Sequence, residues 1–335
     1  MKNKQKLIVL FVIAAVTLMI FASTTELLAK KEIVLKTIGT LPKPSRSNDA
    51  LWKVMELVNQ KAKGELVIKF LGGPEVIGAF AQGKAVQSGV VDMSFAFAGA
   101  YGGLVDGVGS FAISRITVAD ERSGGFVDLI QNSYRKKGLF YLGRGEFVDG
   151  VTTGLFAFFL NTRVEKLKDL AGLKLAGTSP IAIPFIKALG ASPVVISFGN
   201  LYTAMDTGVI DGFRLPISSV VPIGLHKVSR YYLNHTFFKS NMTFIINLKT
   251  WERIPKHLQD IIQAAVIKTE QEMTTIYSKN TAKDLKTAQG AGLEVISFSS
   301  EEAEKFINTA YEAEWESLIK KFPELGPKLK KLLIK

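Results

Sequence analysis

Cysteine is absent from this sequence. Disulfides, thiolate metal sites and cysteine nucleophiles are therefore excluded. Histidine is scarce, at His226, His235 and His257 only, and no HExxH-type spacing links them. A histidine-rich metal centre is excluded on the same ground. No GxSxG elbow occurs, and "QGKAVQSG" lacks the second glycine of a phosphate-cradling loop. "DGVGSFA" places Gly107, Gly109 and Ala112 in a GxGxxA pattern, but it lies inside a glycine-rich stretch. No acidic residue closes a βαβ unit about 20 residues further on, so dinucleotide binding is not indicated. Paired carboxylates such as Glu301-Glu302 sit in a polar helical segment. Without a nucleophile–base pair the chain does not read as an enzyme, and neither a cofactor nor a metal is expected.

Acidic residues are also outnumbered, 30 against 42 basic ones, for a formal charge of +12. The lysines are scattered, with their densest cluster in the C-terminal "PKLKKLLIK". That distribution fits a solvated basic surface better than a nucleic-acid footprint. At the N-terminus, basic "MKNKQK" precedes an uncharged run from Leu7 to Phe21 that is apolar except for Thr17, and "ELLAKKE" follows with Leu27 and Ala29 at the −3 and −1 positions. This is the layout of a signal peptide cleaved near Ala29. A retained anchor is the alternative, although fifteen residues are short for a span of about 20. No later run spans a bilayer, so the mature chain reads as an exported soluble protein.

The length of 335 residues suggests two domains. "EIVLKTIG" alternates as a strand, and "SNDALWKVMELVNQKAKG" carries Leu51, Met55 and Val58 at helical spacing. Ser47 or Asn48 is the expected N-cap and Gly64 the stop. A strand "ELVIKFLGG", a helix "AFAQGKAVQSG" and a strand "VVDMSFAFAG" follow. Such a β-α-β-α-β run implies helices covering a largely parallel sheet. Part of the plan recurs. "VIKFLGGPEVIGAFAQGKAVQSGVVDM" from Val67 and "VVISFGNLYTAMDTGVIDG" from Val194 each show a strand ending in Phe and Gly. Each continues as a helix closed by Gly89 or Gly208, then Val-Val-Asp92 or Val-Ile-Asp211. Two related α/β lobes are expected, with a cleft at the C-terminal ends of their strands. From His257 to about Gln289 neither Gly nor Pro interrupts an amphipathic pattern. One helix of about 30 residues is expected there, roughly 45 Å long and able to couple both lobes.

Four stretches together carry a family resemblance: "ELVIKFLGGPEVIG…AVQSGVVDM", "LNTRVEKLKDLAGLKLA", "ALGASPVVISFGNLYTAMDTGVIDG" and "NLKTWERIPKHLQDIIQAA". The chain resembles the extracytoplasmic solute receptors of TRAP (tripartite ATP-independent periplasmic) transporters. The resemblance implies a type II-like two-lobe periplasmic binding protein, each lobe a mixed, mostly parallel sheet flanked by helices. It implies hinge closure on a small organic ligand, delivery to TRAP membrane permease subunits, a periplasmic location and a monomeric state. After a signal peptide at 1–29, lobe I is expected at 30–150 plus about 240–280. Lobe II is expected at 151–239 plus about 281–335. A sensor-coupled receptor of the same fold is the alternative.

The departures from the family pattern concern the ligand. In the family the "DLKGLKIR" strand usually ends in an arginine that pairs with a substrate carboxylate; here Ala176 stands at that place, followed shortly by Thr178. A second arginine, common on the strand before "LNTR", falls at about Phe156 or Ala157 and is also missing. The family's "DGxEN" reads "DGFRLP", putting Phe213, Arg214 and Leu215 in place of mostly polar residues. A charge-assisted hydrogen bond to a carboxylate contributes about 1.5–3 kcal/mol, and a carboxylate buried without one keeps its desolvation cost. Two outcomes follow. Either the ligand is apolar or neutral, packed against Phe156, Phe158, Phe213 and Leu215, or the cation has moved, with Arg214 the first candidate. Tyr101, at a strand end, can line the lobe I side. Arg144 can face the cleft or form a hinge-side ion pair with Glu146.

Overall fold

A computed structural model describes residues 32–43, 45–145, 156–177, 182–239 and 242–334. The proposed leader at 1–29, Glu146 and Thr178 lie outside these residues. In chain order the first elements are β1 (Ile33–Gly39), α1 (Asp49–Lys61), β2 (Leu66–Gly72), α2 (Gln82–Ser88) and β3 (Met93–Phe97). Then come α3 (Val118–Ser123), α4 (Phe126–Arg135), β4 (Leu139–Arg144), β5 (Phe156–Leu160) and β6 (Lys174–Gly177). They are followed by α5 (Ile183–Ala188), β7 (Ser192–Val195), α6 (Leu201–Asp206), β8 (Gly212–Pro216), α7 (Ile217–Val220) and β9 (Tyr231–Leu233). The last are β10 (Met242–Asn247), α8 (Leu248–Arg253), α9 (Lys256–Gly290), β11 (Glu294–Ile296), α10 (Ser300–Lys321) and α11 (Gly326–Leu333).

Two mixed sheets result, in the orders β2-β1-β3-β10-β4 and β11-β9-β5-β8-β6-β7. Each has a parallel half and a strand inserted antiparallel to it: β10 beside β3, and β5 beside β8. The chain crosses between sheets from Arg144 to Phe156 and returns between Leu233 and Met242.

The recurring sequence pattern has an atomic counterpart. The Asp92 carboxylate accepts from the Lys36 amide at 2.8 Å, and Asp211 does the same for Lys174 at 2.7 Å. The Asp amides return the bond to Lys36 O and Lys174 O, at 2.9 Å each. Each lysine ammonium reaches a carbonyl of the preceding turn, Val90 O or Gly208 O, at 3.0 Å. Asn247 and Asn161 then donate to the two Asp carbonyls. Gly89 and Gly208 make the left-handed turns that such a compact connection needs, at φ 79° and 70°. One detail differs from the pattern. Phe198 and Gly199 do not end β7, which stops at Val195, but open a 3-10 turn after it.

Asn48 stands at the N-cap of α1 without capping it, because its amide donates to Leu41 O and Pro42 O instead. The long helix α9 has 35 residues, about 52 Å. Its first half buries Ile262, Val266, Met273 and Tyr277 in the lobe I core. Its last turns bury Ala288 in the lobe II core, and Leu285 packs against that core. Helix α10 adds Phe306 and Trp315 to a third core shared by Phe111 and Tyr134 of one lobe and Phe158 and Phe185 of the other. The C-terminal helix α11 packs on α4, and the Arg115 amide donates to Leu333 O at 2.8 Å. The end of the chain therefore contacts lobe I as well as α10. Among the described residues no helix is long and apolar enough to cross a membrane.

Arg144, at the end of β4, is fully buried. It is paired to Glu121 at 2.9 Å, and its guanidinium lies 5.1 Å from the Phe111 ring centroid. Its amide donates to Glu270 on α9, which also pairs with Arg122 at 2.6 Å. This network fixes the last residues before the crossing. Removing one partner of a buried pair leaves the other charge desolvated and costs about 3–5 kcal/mol. Glu121→Ala is expected to lower the urea midpoint by a corresponding amount; a change under about 1 kcal/mol would show that the pair is not the anchor.

Candidate functional site

The strand ends of the two sheets face each other across a cavity of about 490 Å³. From lobe I come Thr40, Leu41 and Pro42 after β1, Pro74 and Phe80 after β2, and Phe97 at the end of β3. From lobe II come Ser197 and Phe198 after β7, Phe156 at the start of β5, and Arg214, Leu215 and Pro216 at the end of β8. Ser219 of α7 meets Ser47 of lobe I, their hydroxyls 3.4 Å apart. Phe238, in the returning crossover, and Met242 line the cavity between the lobes. Phe238 holds a left-handed backbone at φ 49°, a conformation that costs a non-glycine residue about 1–2 kcal/mol. The rings of Phe185, Phe237 and Tyr311 around it hold it there.

The walls are thus mainly apolar and aromatic. Among the described lining residues Arg214 is the one charged group. Strand alternation explains how it gets there. Phe213 and Leu215 point to the lobe II core with Phe159 and Ala157, so Arg214 points to the opposite face. Its guanidinium lies over the Phe156 ring, 4.9 Å from the centroid. A buried cation–π contact of this kind contributes up to about 2 kcal/mol. Burial pulls the Arg214 pKa down to about 10, and the attraction of Glu314 only partly offsets it. Glu314, on α10, accepts from the Phe185 amide at 3.2 Å. Burial pushes its carboxyl up to about 7, against the Phe185 and Ala182 amides and the charge of Arg214.

Of the residues singled out from sequence, Phe156, Arg214 and Leu215 line the cavity. Thr178 lies outside the described residues, and the other described ones do not line it. Ala176 lies in mid-sheet between Val194 and Phe213, its side chain in the lobe II core. Phe213 stacks on Phe159 at 5.2 Å in that same core. Phe158 faces the third core, against Phe185, Phe237 and Phe306. Tyr101 is buried in lobe I, its hydroxyl 2.8 Å from that of Tyr134 and in contact with the Thr243 hydroxyl. Burial raises its pKa to about 12, so it stays neutral. Gly83 of α2 makes room for it, since a Cβ there would lie 2.5 Å from the Tyr101 Cβ. Arg144 is held by Glu121, away from the cleft. Phe80, Phe97, Phe198 and Phe238 were not read as site residues. Their shared signal is position: an aromatic at or just after a strand end, or in a crossover.

A cleft between two duplicated lobes, at the C-terminal ends of their strands, defines a two-lobed small-molecule binding protein. Residues 40–321 match the family DctP, bacterial extracellular solute-binding protein, family 7, and the chain belongs to that family. The family is one of binding proteins rather than enzymes. The 2,3-diketo-L-gulonate-binding periplasmic protein YiaO of Escherichia coli is 25% identical over 253 residues, 73% of this chain and 75% of that one. The monocarboxylate 2-oxoacid-binding periplasmic protein all3028 of Nostoc sp. is 24% identical over 159 residues, covering 46% and 43%. The chain spans less than half the length of some curated relatives it matches. A TRAP periplasmic solute-binding protein from Desulfovibrio salexigens, solved with bound orotic acid, superposes with a TM-score of 0.80 at 21% identity. That likeness covers 90% of this chain and 97% of the other.

Because the folded Glu314 carboxyl holds its proton more tightly than the unfolded one, it favours folding while protonated. Its contribution is complete below about 4.5 and is lost as pH rises through about 7. Urea midpoints measured from about pH 5 to about pH 8 are expected to fall in the wild type relative to Glu314→Gln. Parallel curves would mean that this carboxyl titrates normally.

Proposed function

We propose that this protein is the periplasmic solute receptor of a TRAP-type secondary transporter, exported by a leader cleaved near Ala29. Its ligand is a small organic acid with one anionic group and a substantial apolar body. The observation that carries this reading is Arg214, a single guanidinium in the wall of an otherwise apolar and aromatic cleft. A carboxylate docked there gains a bidentate, charge-assisted contact in a dry setting. The aromatic side chains then take up the rest of the molecule, at about 25 cal/mol per Å² of apolar surface removed from water. A sugar acid or dicarboxylate would bring hydroxyls or a second charge against Phe80, Phe97, Phe156 and Phe198, with only the hydroxyls of Thr40, Ser47, Ser197 and Ser219 in the walls to replace their lost water. A wholly neutral ligand would draw nothing from the arginine. A relative whose name specifies a monocarboxylate 2-oxoacid, and a structural neighbour holding orotic acid, are consistent with an anionic ligand.

The reading is tested by mass spectrometry of small molecules released on denaturing the purified mature protein, with calorimetric titration of phenylacetate, 4-methyl-2-oxopentanoate, succinate and D-glucuronate. A released or titrated monocarboxylate with an aromatic or branched body is the expected result. Arg214→Gln should weaken its binding about ten- to a hundredfold, the worth of one charge-assisted contact. Preference for succinate or D-glucuronate, or unchanged affinity in the variant, would overturn the assignment.

A further inference from the structure

The duplicated plan of the lobes reaches into the walls of the ligand cavity. In each lobe a strand-to-helix connection ends in a 3-10 turn, Ala79–Ala81 before α2 and Phe198–Asn200 before α6. The two turns have the same build. Gly78 and Ser197 precede them, at φ −50°, ψ 138° and φ −62°, ψ 146°. The amides of Ala81 and Asn200 close them, donating to Gly78 O at 2.8 Å and Ser197 O at 3.0 Å. Ala79 therefore matches Phe198, and Phe80 matches Gly199. All four line the cavity. Each turn thus offers one phenylalanine and one residue with little or no side chain, in opposite order. The two rings are staggered, because alanine or glycine stands at the position that matches each of them.

The rings differ in support. Phe198 is half-buried and packs against the lobe II core. Phe80 is 58% exposed, and it meets the ring of Phe97 at 6.1 Å between centroids and 87° between planes. Two rings at right angles form a corner, and both of these line the cavity. A third flat ring entering that corner lies along the face of one and edge-on to the other, the arrangements that aromatic pairs favour. On the opposite wall stand Phe198 and Phe156, and the Arg214 guanidinium lies over Phe156. The cation is therefore next to the aromatic walls, within reach of one small molecule.

We infer that Phe80 and Phe198 determine the specificity of the cleft, and that they select an aryl acid whose flat ring is held between the lobes. The inference rests on the proposal that Arg214 holds the ligand's anionic group, and it narrows the body of that ligand from apolar to aromatic. Burial of apolar surface alone does not favour a phenyl over a cyclohexyl group. Contacts of a ring's face and edge with other rings do. A branched or saturated body is covered by the same walls but makes none of those contacts. A phenyl ring between Phe80 and Phe198 also touches both lobes, so the contacts that choose the ligand favour the closed state as well.

The test compares phenylacetate with cyclohexylacetate by calorimetric titration of the intact mature protein. The two carry the same carboxylate on the same spacer and differ in the ring alone. Phenylacetate is expected to bind at least about fivefold more tightly, the effect of one to two ring–ring contacts. Phe80→Leu and Phe198→Leu keep an apolar wall, and each should lower that ratio at least about twofold. Equal binding or a preference for cyclohexylacetate in the wild type, or an unchanged ratio in either variant, would overturn the inference. So would binding of 4-methyl-2-oxopentanoate when neither ring acid binds. Where Arg214→Gln still weakens whichever acid is bound, those results leave the role of Arg214 intact. Binding that survives Arg214→Gln, or no binding of any of the three acids, would instead remove the binding reading and this inference with it.

Discussion

Each sheet takes its antiparallel strand from chain that has just crossed from the other lobe, and this exchange constrains everything else. Strand β5 enters lobe II directly after lobe I ends, and β10 enters lobe I after lobe II. Both lie between other strands, where every backbone donor and acceptor must be paired. Lobe I therefore cannot complete its sheet, or satisfy those groups, until the chain has returned from lobe II with β10. The crossings also fix orientation. Because β5 and β10 run against their parallel neighbours, their first residues, Phe156 and Met242, stand beside the last residues of β8 and β3. The ends of the parallel strands and the starts of the inserted ones meet at one place, which is the cavity.

The electrostatics follow from which side of a strand a residue occupies. At position 176 the side chain enters the lobe II core, where alanine fits and a cation would need a partner that the core does not supply. One strand over, position 214 faces the other way and reaches the cleft. Moving the charge between adjacent strands changes the chemistry of the pocket in two respects. The guanidinium acquires the Phe156 ring as a lid, and Glu314 of α10 partly offsets the lowering of its pKa by burial. In general, a pocket with a single charged side chain and mainly aromatic walls disfavours any hydroxyl or second charge whose water it does not replace.

Much of this was legible in the primary structure, where it rests on short-range rules. The duplicated βα units announced themselves through paired Gly and Asp punctuation, and the Lys36–Asp92 and Lys174–Asp211 locks show why that punctuation is repeated. The long helix was visible because nothing interrupts its period. The location of the cleft followed from strand direction. Site residues were harder because burial is a property of both faces of a sheet. Phe156 and Phe158 are two residues apart and share a face, yet one lies at the strand's open end and the other in its packed middle. Tyr101 sits after a strand end, as a cleft residue would, but its hydroxyl has partners inside lobe I that no local pattern reveals. Glu314 lies 100 residues from Arg214 in sequence, on a helix that reads as an ordinary amphipathic one; only the packing of α10 against α5 brings its charge to bear.

The third core sets the terms on which the lobes move. Phe111 and Tyr134 from one lobe and Phe158 and Phe185 from the other are buried in it together with Phe306 and Trp315 of α10. Separating those surfaces entirely would expose several aromatic side chains, each at a cost of about 1.5–3 kcal/mol. A movement of the lobes that kept this core packed would pivot about it and about the long helix α9. Away from that core lies the weaker Ser47–Ser219 hydroxyl contact between the lobes. A ligand touching both lobes adds its contacts only when they are together, and that difference in affinity is what draws the cleft shut. Aromatic residues at the mouth suit this arrangement. Phe80 of lobe I, largely exposed, and Phe198 of lobe II stand on opposite walls of the cavity, so an apolar group held between them touches both lobes, while Arg214 is already buried in lobe II.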